Sequence, residues 1–234
     1  MQLTWLGAAG FKVDTDEGAT LLIDPYLARL SPANASLPLQ LADLFPVDEI
    51  FLTDGRLDHI MDTPALAQQT GAIVHAPEPV CQQLVRQGVP AHHLESTVPK
   101  IPKRIGSLSW QALSNQAELA TAMEEEVAYF FKIDGLSLIH FSSLNWLEAE
   151  LGDLHPHLAL LPLESDPDNS NAAAQLASLI QPQVVIPHYG GNYSLPQSDR
   201  SHSVLFETAL KALALGVRVY RPAMGQSFNP IKLL

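Results

Sequence analysis

The feature that most limits how this chain can fold is a doubled strand pattern. Residues 3–25 and 127–141 each read as closely spaced antiparallel strands, and each block is followed by apolar runs that alternate with helical segments. In the first block LTWLG, GFKVDTD and ATLLIDP carry the alternation and β-branched content of strands, with Glu17-Gly18 as a turn. In the second, VAYFFKIDGLSLIHF is two apolar strands about Asp134-Gly135, a hairpin signal. The first block leads into the strand VDEIFLTDG and a helix over TPALAQQTG, with Thr63 as N-cap, Pro64 at the first helical position and Gly71 at its end. The strand AIVHA and the helix EPVCQQLVRQ, closed by Gly88, come next. The second block leads into the strand HLALLPLES, the helix SNAAAQLASLI, the strand QVVIPHYGG, the helix SHSVLFETALKALALG and a last strand VRVYRP. Strands linked by helices must stack in layers to bury their apolar faces. The expected fold is therefore α/β, a four-layer αβ/βα sandwich, with residues 1–234 as one domain. Over 26–46, rich in Pro, Ala, Ser and Leu, a long loop with at most one helical turn is expected.

Composition removes several function classes. Thirteen Lys and Arg against twenty-five Asp and Glu leave a net charge of −12, the wrong sign for neutralising nucleic-acid phosphates or binding an anionic membrane surface. The N-terminal MQLTWLGAAGF lacks a basic leader, and apolar runs such as LALLPL are too short for a bilayer span, so a cytoplasmic location is expected. The single Cys81 has no internal disulfide partner and reads as a small buried residue on a helix.

Chemistry concentrates at two strand ends. Asp54, Arg56, Asp58 and His59 follow one apolar strand, where side chains from a short segment converge on one cavity. Carboxylate and imidazole together supply the oxygen and nitrogen donors that zinc or another divalent ion takes. His188 ends another buried strand, followed by Tyr189-Gly190-Gly191.

These segments resemble the metallo-β-lactamase superfamily, and in particular its metal-dependent hydrolases related to L-ascorbate-6-phosphate lactonase. WLGAAGF with LLIDPYL is similar to the family's opening, LTDGRLDHIMDT to its Thr-His-x-His-x-Asp-His hallmark, DGLSLIHFSSL to the strand ending His-Ala-Gly-Asp-Thr, and IPHYGG to the terminal histidine motif. Asp54 and Arg56 stand where the first two histidines of the hallmark are expected, Ser142-Ser143 replace the Gly-Asp of the turn, and 114–126 hold no histidine. The resemblance thus implies at most one metal, zinc foremost, held by Asp58, His59 and His188 at loop ends outside the core. An Arg56 guanidinium beside it would steer an anionic substrate or pair with Asp54.

Two functions follow from the resemblance. One is a mononuclear hydrolase acting on an ester, lactone or phosphoester, with Asp58 and Arg56 as catalytic groups. The other is a metal-free pseudoenzyme whose cleft binds a small anionic molecule or a protein partner. Asp24 is expected either to orient a site histidine or to start a turn before Pro25, and Ser143 and Tyr189 to border the cleft. His140 reads as a satisfied core histidine, and His75, His92, His93, His155 and His157 as structural or exposed. Glu124–Glu126 could reach the cleft, but as a charge run they read as a solvated face.

Overall fold

The computed structural model describes residues 1–27, 39–114, 126–144, 146, 151, 153–163, 167–188, 201–213 and 216–234. The first sheet takes β1 (Gln2–Gly7), β2 (Gly10–Asp14), β3 (Thr20–Ile23), β4 (Glu49–Phe51), β5 (Ile73–Ala76) and β6 (Leu94–Ser96). The second takes β7 (Lys103–Ile105), β8 (Leu108–Leu113), β9 (Ala128–Ile133), β10 (Leu136–His140), β11 (Leu158–Pro162), β12 (Val184–His188) and β13 (Arg218–Val219). The chain's last strand, β14 (Ser227–Phe228), returns to the first sheet beside β1. Each sheet begins with an antiparallel meander and continues with parallel strands, β3 to β6 in one and β10 to β13 in the other.

Side-chain alternation along these strands separates three cores. Leu21, Ile23 and Phe51 of the first sheet pack between the sheets against Trp110, Tyr129, Phe131, Leu160 and Ile186 of the second. The intervening Leu22 and Ile50 face outward, onto α2 (Thr63–Thr70), which follows the short α1 (Leu57–Ile60), and α3 (Glu78–Arg86) through Leu66, Val80 and Leu84. Ala159, Leu161 and Val185 likewise face α4 (Pro167–Ile180) and α5 (Ser201–Ala212) through Ala173, Ala177 and Phe206. Helix, sheet, sheet and helix are thus four layers, as the strand pattern implied.

Local expectations fared unevenly. Gly71 and Gly88 end their helices with φ of 77° and 92°, a left-handed conformation in which an L side chain is strained. The N-cap of α2 is Asp62 rather than Thr63. Strands β6, β7, β8 and β14 escaped the sequence reading, because three are only two or three residues long and β8 follows a Pro- and Lys-rich stretch. Of the loop expected over 26–46, residues 28–38 lie outside the described residues, and Leu41–Leu44 form the single helical turn. Cys81 is buried on α3, and burial followed by the nearby Glu78 pushes its thiol up to about 11. His75, expected to be structural or exposed, is wholly buried against Phe51, with Nε2 2.6 Å from the Glu49 carboxylate. No helix among the described residues is long and apolar enough to cross a membrane.

Candidate active site

Parallel sheets gather ligands at the carboxyl ends of their strands, where the chain leaves the sheet and side chains are free to converge. Asp24 directly follows β3, Thr53 and Asp54 follow β4, His140 ends β10 and His188 ends β12. The two sheets bring these ends together. Thr53 accepts the Val127 amide on its carbonyl at 2.8 Å, and Asp54 forms an isolated antiparallel bridge with Glu126.

Asp24 is the hub. Its Oδ1 accepts the Thr53 amide at 2.8 Å, while its Oδ2 accepts the Thr53 hydroxyl at 2.7 Å and the Nε2–H of His140 at 3.0 Å. Having donated its proton, the Thr53 oxygen accepts Nδ1–H of His59 at 3.0 Å. In the neutral ring that leaves the His59 Nε2 lone pair facing Arg56, whose Nη2 lies 3.3 Å away and can donate to it. The same Nη2 reaches the Ser142 carbonyl at 3.1 Å and Asp54 Oδ2 at 3.0 Å. Asp54 also accepts Arg56 Nε, at 3.2 and 3.1 Å to its two oxygens, and the Arg56 amide at 2.8 Å.

Burial sets the charges. It pushes the Asp24 carboxyl up, but the His59 charge, then the His140 and His59 hydrogen bonds, outweigh it and hold the carboxyl far below the usual carboxylate range. For His59 burial disfavours the imidazolium, yet Asp24 and then Asp54 more than offset this and raise its pKa, with Arg56 pulling the other way. Burial and the neighbouring His140 hold His188 well below its ordinary value, so it is neutral. Because the folded pKa of Asp24 lies below its unfolded one, its stabilisation is complete at neutral pH and is lost as pH falls below about 4. The wild type should therefore lose up to about 1.4 kcal/mol per pH unit from this group, a component absent from Asp24→Asn. Urea unfolding from pH 5 to pH 2.5 measures it, and parallel slopes for the two proteins would show that Asp24 is not the group titrating.

His188 corrects an expectation. It lies in the core rather than on a loop end, stacked on His140 with ring centroids 5.0 Å apart and edge-on to Phe11 at 5.8 Å. Its Nε2–H donates to the Phe141 carbonyl at 3.0 Å, and its Nδ1 is buried without a hydrogen-bond partner among the described residues. His140 is only half satisfied, since its Nδ1 is likewise buried and unpartnered. Asp58 and His59 are adjacent, with Asp58 Oδ2 3.8 Å from His59 Nε2. Among the described residues no three His, Cys, Asp or Glu side chains are grouped to hold a metal.

As arranged, these donors do not suit a divalent ion. The lone pair His59 would offer is taken by a guanidinium, which also repels a second cation, and His188 has turned its Nε2 to a backbone oxygen. Of the bordering residues, Ser143 gives its carbonyl to the Trp146 indole, and Tyr189 lies outside the described residues. Thr53, Ser142 and Glu126 were not singled out in the sequence as site residues; Thr53 does begin the quoted motif. Glu126 accepts the Ser142 hydroxyl at 2.8 Å rather than standing on a solvated face, and 124–125 lie outside the described residues.

A cleft of about 530 Å³ opens beside Arg56, lined by Asp54, Gly55, Arg86 and Glu126, with Val80 and Gln83 among the other α3 residues on its wall. Val80 and Gln83 stand three apart on α3, and Gln83 and Arg86 three apart again, so they share one helix face. A Cβ at Gly55 would stand 2.7 Å from Gln83 Oε1 and 3.6 Å from Val80 Cγ2, so a side chain there would displace the Gln83 amide from the cleft wall. Arg86 makes no ion pair among the described residues.

A family model described as a β-lactamase superfamily domain matches residues 2–189. The chain belongs to that superfamily. Among its superfamily relatives are a UPF0173 metal-dependent hydrolase of Rubrobacter xylanophilus, 28% identical over 97% of this chain and 96% of its own length, and another of Methanopyrus kandleri, 28% identical over 98% and 100%. Igni18, a metallo hydrolase of Ignicoccus hospitalis, superposes with a TM-score of 0.70 at 21% identity, covering 97% of this chain and 98% of that one. An isothiocyanate hydrolase from Delia radicum gut bacteria gives 0.69 at 17% identity, covering 98% of each. The structural likenesses establish the metallo-β-lactamase fold, and the sequence likenesses are to proteins named metal-dependent hydrolases.

Proposed function

We propose that this chain is a metal-independent member of the hydrolase family that binds a small anionic molecule in the cleft between Arg56 and Arg86. The observation that carries the reading is Arg56 itself. A permanently charged group is built in beside His59 Nε2 and is held by Asp54, Ser142 and His59. Its Nε and Nη2 are engaged inside the protein, while the side chain is 40% exposed along the cleft wall, where the guanidinium can meet a ligand. The lining sets two guanidiniums, Arg56 and Arg86, against two carboxylates, Asp54 and Glu126; Asp54 is paired with Arg56 and Glu126 accepts the Ser142 hydroxyl, so Arg86, which makes no ion pair among the described residues, is the cation presented to a ligand. A guanidinium orients and stabilises phosphate or carboxylate oxygens but cannot acidify a water as a metal does.

Titration calorimetry with inorganic phosphate, sulfate and a phosphorylated small molecule tests this. Arg56→Gln should weaken binding by about 10- to 100-fold, the worth of one charged hydrogen bond, and Arg56→Lys should recover only part because lysine lacks the fork. Equal affinity in wild type and Arg56→Gln would leave Arg56 as nothing more than the partner of Asp54.

A second reading keeps a single zinc at Asp58, His59 and His188 and hydrolysis of an ester, lactone or phosphoester. It is favoured by the buried, unpartnered Asp58 Oδ2 and His188 Nδ1 and by relatives named as metal-dependent hydrolases. It requires Arg56 to leave His59. Metal analysis of protein purified without a metal-affinity tag separates the two, since stoichiometric zinc would replace the first reading with the second.

A further inference from the structure

The cleft beside Arg56 has two walls, and each carries one charge that the protein leaves unpaired. The sheet wall is the turn after β4, with Glu126 bridged to Asp54; the helix wall is the α3 face that ends at Arg86. On the sheet wall Asp54 and Arg56 cancel each other at 3.0 Å. Glu126 uses one oxygen, Oε1, to accept the Ser142 hydroxyl at 2.8 Å. A hydroxyl brings no charge, so this carboxylate stays uncompensated, and its second oxygen makes no hydrogen bond among the described residues. On the helix wall Arg86 makes no ion pair among the described residues. Val80 and Gln83 meet the sheet wall at Gly55, and Arg86 stands three positions beyond Gln83 on the same face. The wall between is thus neutral, an amide and apolar side chains.

A ligand of uniform negative charge would gain Arg86 and meet Glu126 as a like charge, in a cleft where solvent screens less than in open water. An ammonium at the ligand's other end turns that repulsion into attraction and donates to the oxygen Glu126 has left over. We infer that the anion this cleft takes is one end of a zwitterion, an aminoalkyl phosphate, phosphonate or carboxylate. Its anionic group pairs with Arg86 beside Arg56, its ammonium pairs with Glu126, and its methylenes lie along Val80. The inference rests on the reading above that the cleft binds an anion, and it adds the chemical class of that anion.

The test is titration calorimetry of the full chain with 3-aminopropylphosphonate, 3-hydroxypropylphosphonate and propylphosphonate, which share the anionic group and the chain length. Wild type should bind the amine about 3- to 10-fold more tightly than the other two, the worth of one ion pair in a partly open cleft. Glu126→Gln keeps an acceptor for Ser142 and should bring the three affinities together. Arg86→Gln should weaken all three by a similar factor and leave the preference for the amine in place. The preference in wild type should also shrink from low to high salt, a readout that needs no variant to fold. Equal binding of the amine and propylphosphonate, equal binding of the amine and the alcohol, or a preference that survives Glu126→Gln overturns the inference and leaves the anion reading standing. Affinities unchanged in Arg86→Gln overturn it as well, by removing the anion's partner. Failure of all three compounds to bind wild type overturns both.

Discussion

Asp24→Ala is expected to lower Tm by roughly 6–20 °C, from about 3–5 kcal/mol lost at a buried, hydrogen-bonded charge and about 2–4 °C per kcal/mol for a chain of this size. The carboxylate is the only feature joining β3, β4 and β10 through side-chain bonds at this end of the sandwich among the contacts described above. Its removal strands the buried Thr53 amide and hydroxyl and His140 Nε2 without their acceptor. Backbone conformation adds to the cost, because Asp24 has φ of 42°, a left-handed position that aspartate and asparagine tolerate better than alanine. Asp24→Asn should fall between, since it keeps the conformation and one acceptor but turns an amide N–H toward groups that donate. A scanning calorimeter decides this, and an Asp24→Ala protein melting within about 2 °C of wild type would show that the hub is dispensable.

His188→Ala is expected to destabilise by about 2–4 kcal/mol, seen as a lower urea midpoint at unchanged slope. The ring fills space between His140 and Phe11 at the end of a strand whose five residues are all buried, so truncation leaves a cavity and an unpaired Phe141 carbonyl. The resemblance implied the opposite, a loop-end ligand whose loss would spare the fold. An unchanged midpoint would restore that view.

The difference between these two outcomes shows where sequence reasoning stopped. That Asp54, Arg56, Asp58 and His59 form one cluster was legible, because five or six residues after a buried strand have nowhere else to go. That Asp54 pairs with Arg56 was one of two readings held open, and the geometry adds His59 and Ser142 to the guanidinium's partners. Ser142, eighty-six positions away along the chain, has no local mark, since serine in a turn is ordinary and it meets the guanidinium through its backbone carbonyl. Thr53 was in plain view in the motif, but its hydroxyl matters only because Asp24 and His59 lie on either side of it.

What the sequence by itself determined is the scaffold: residues that alternate in period two must present two faces, and Leu21, Leu22 and Ile23 could only divide between an inner and an outer core. The same periodicity placed Asp24, His140 and His188 at strand ends. Only the tertiary structure decided what those ends do. Asp24 meets His140 across 116 residues, and His59 turns its second nitrogen to a guanidinium rather than to an ion, because hydrogen-bond partners are chosen by which groups the fold brings within reach. Pattern along a chain fixes direction and burial, but not the distance between residues far apart in sequence; that distance decides whether an imidazole beside an aspartate is a metal ligand or one wall of a site already holding its own cation.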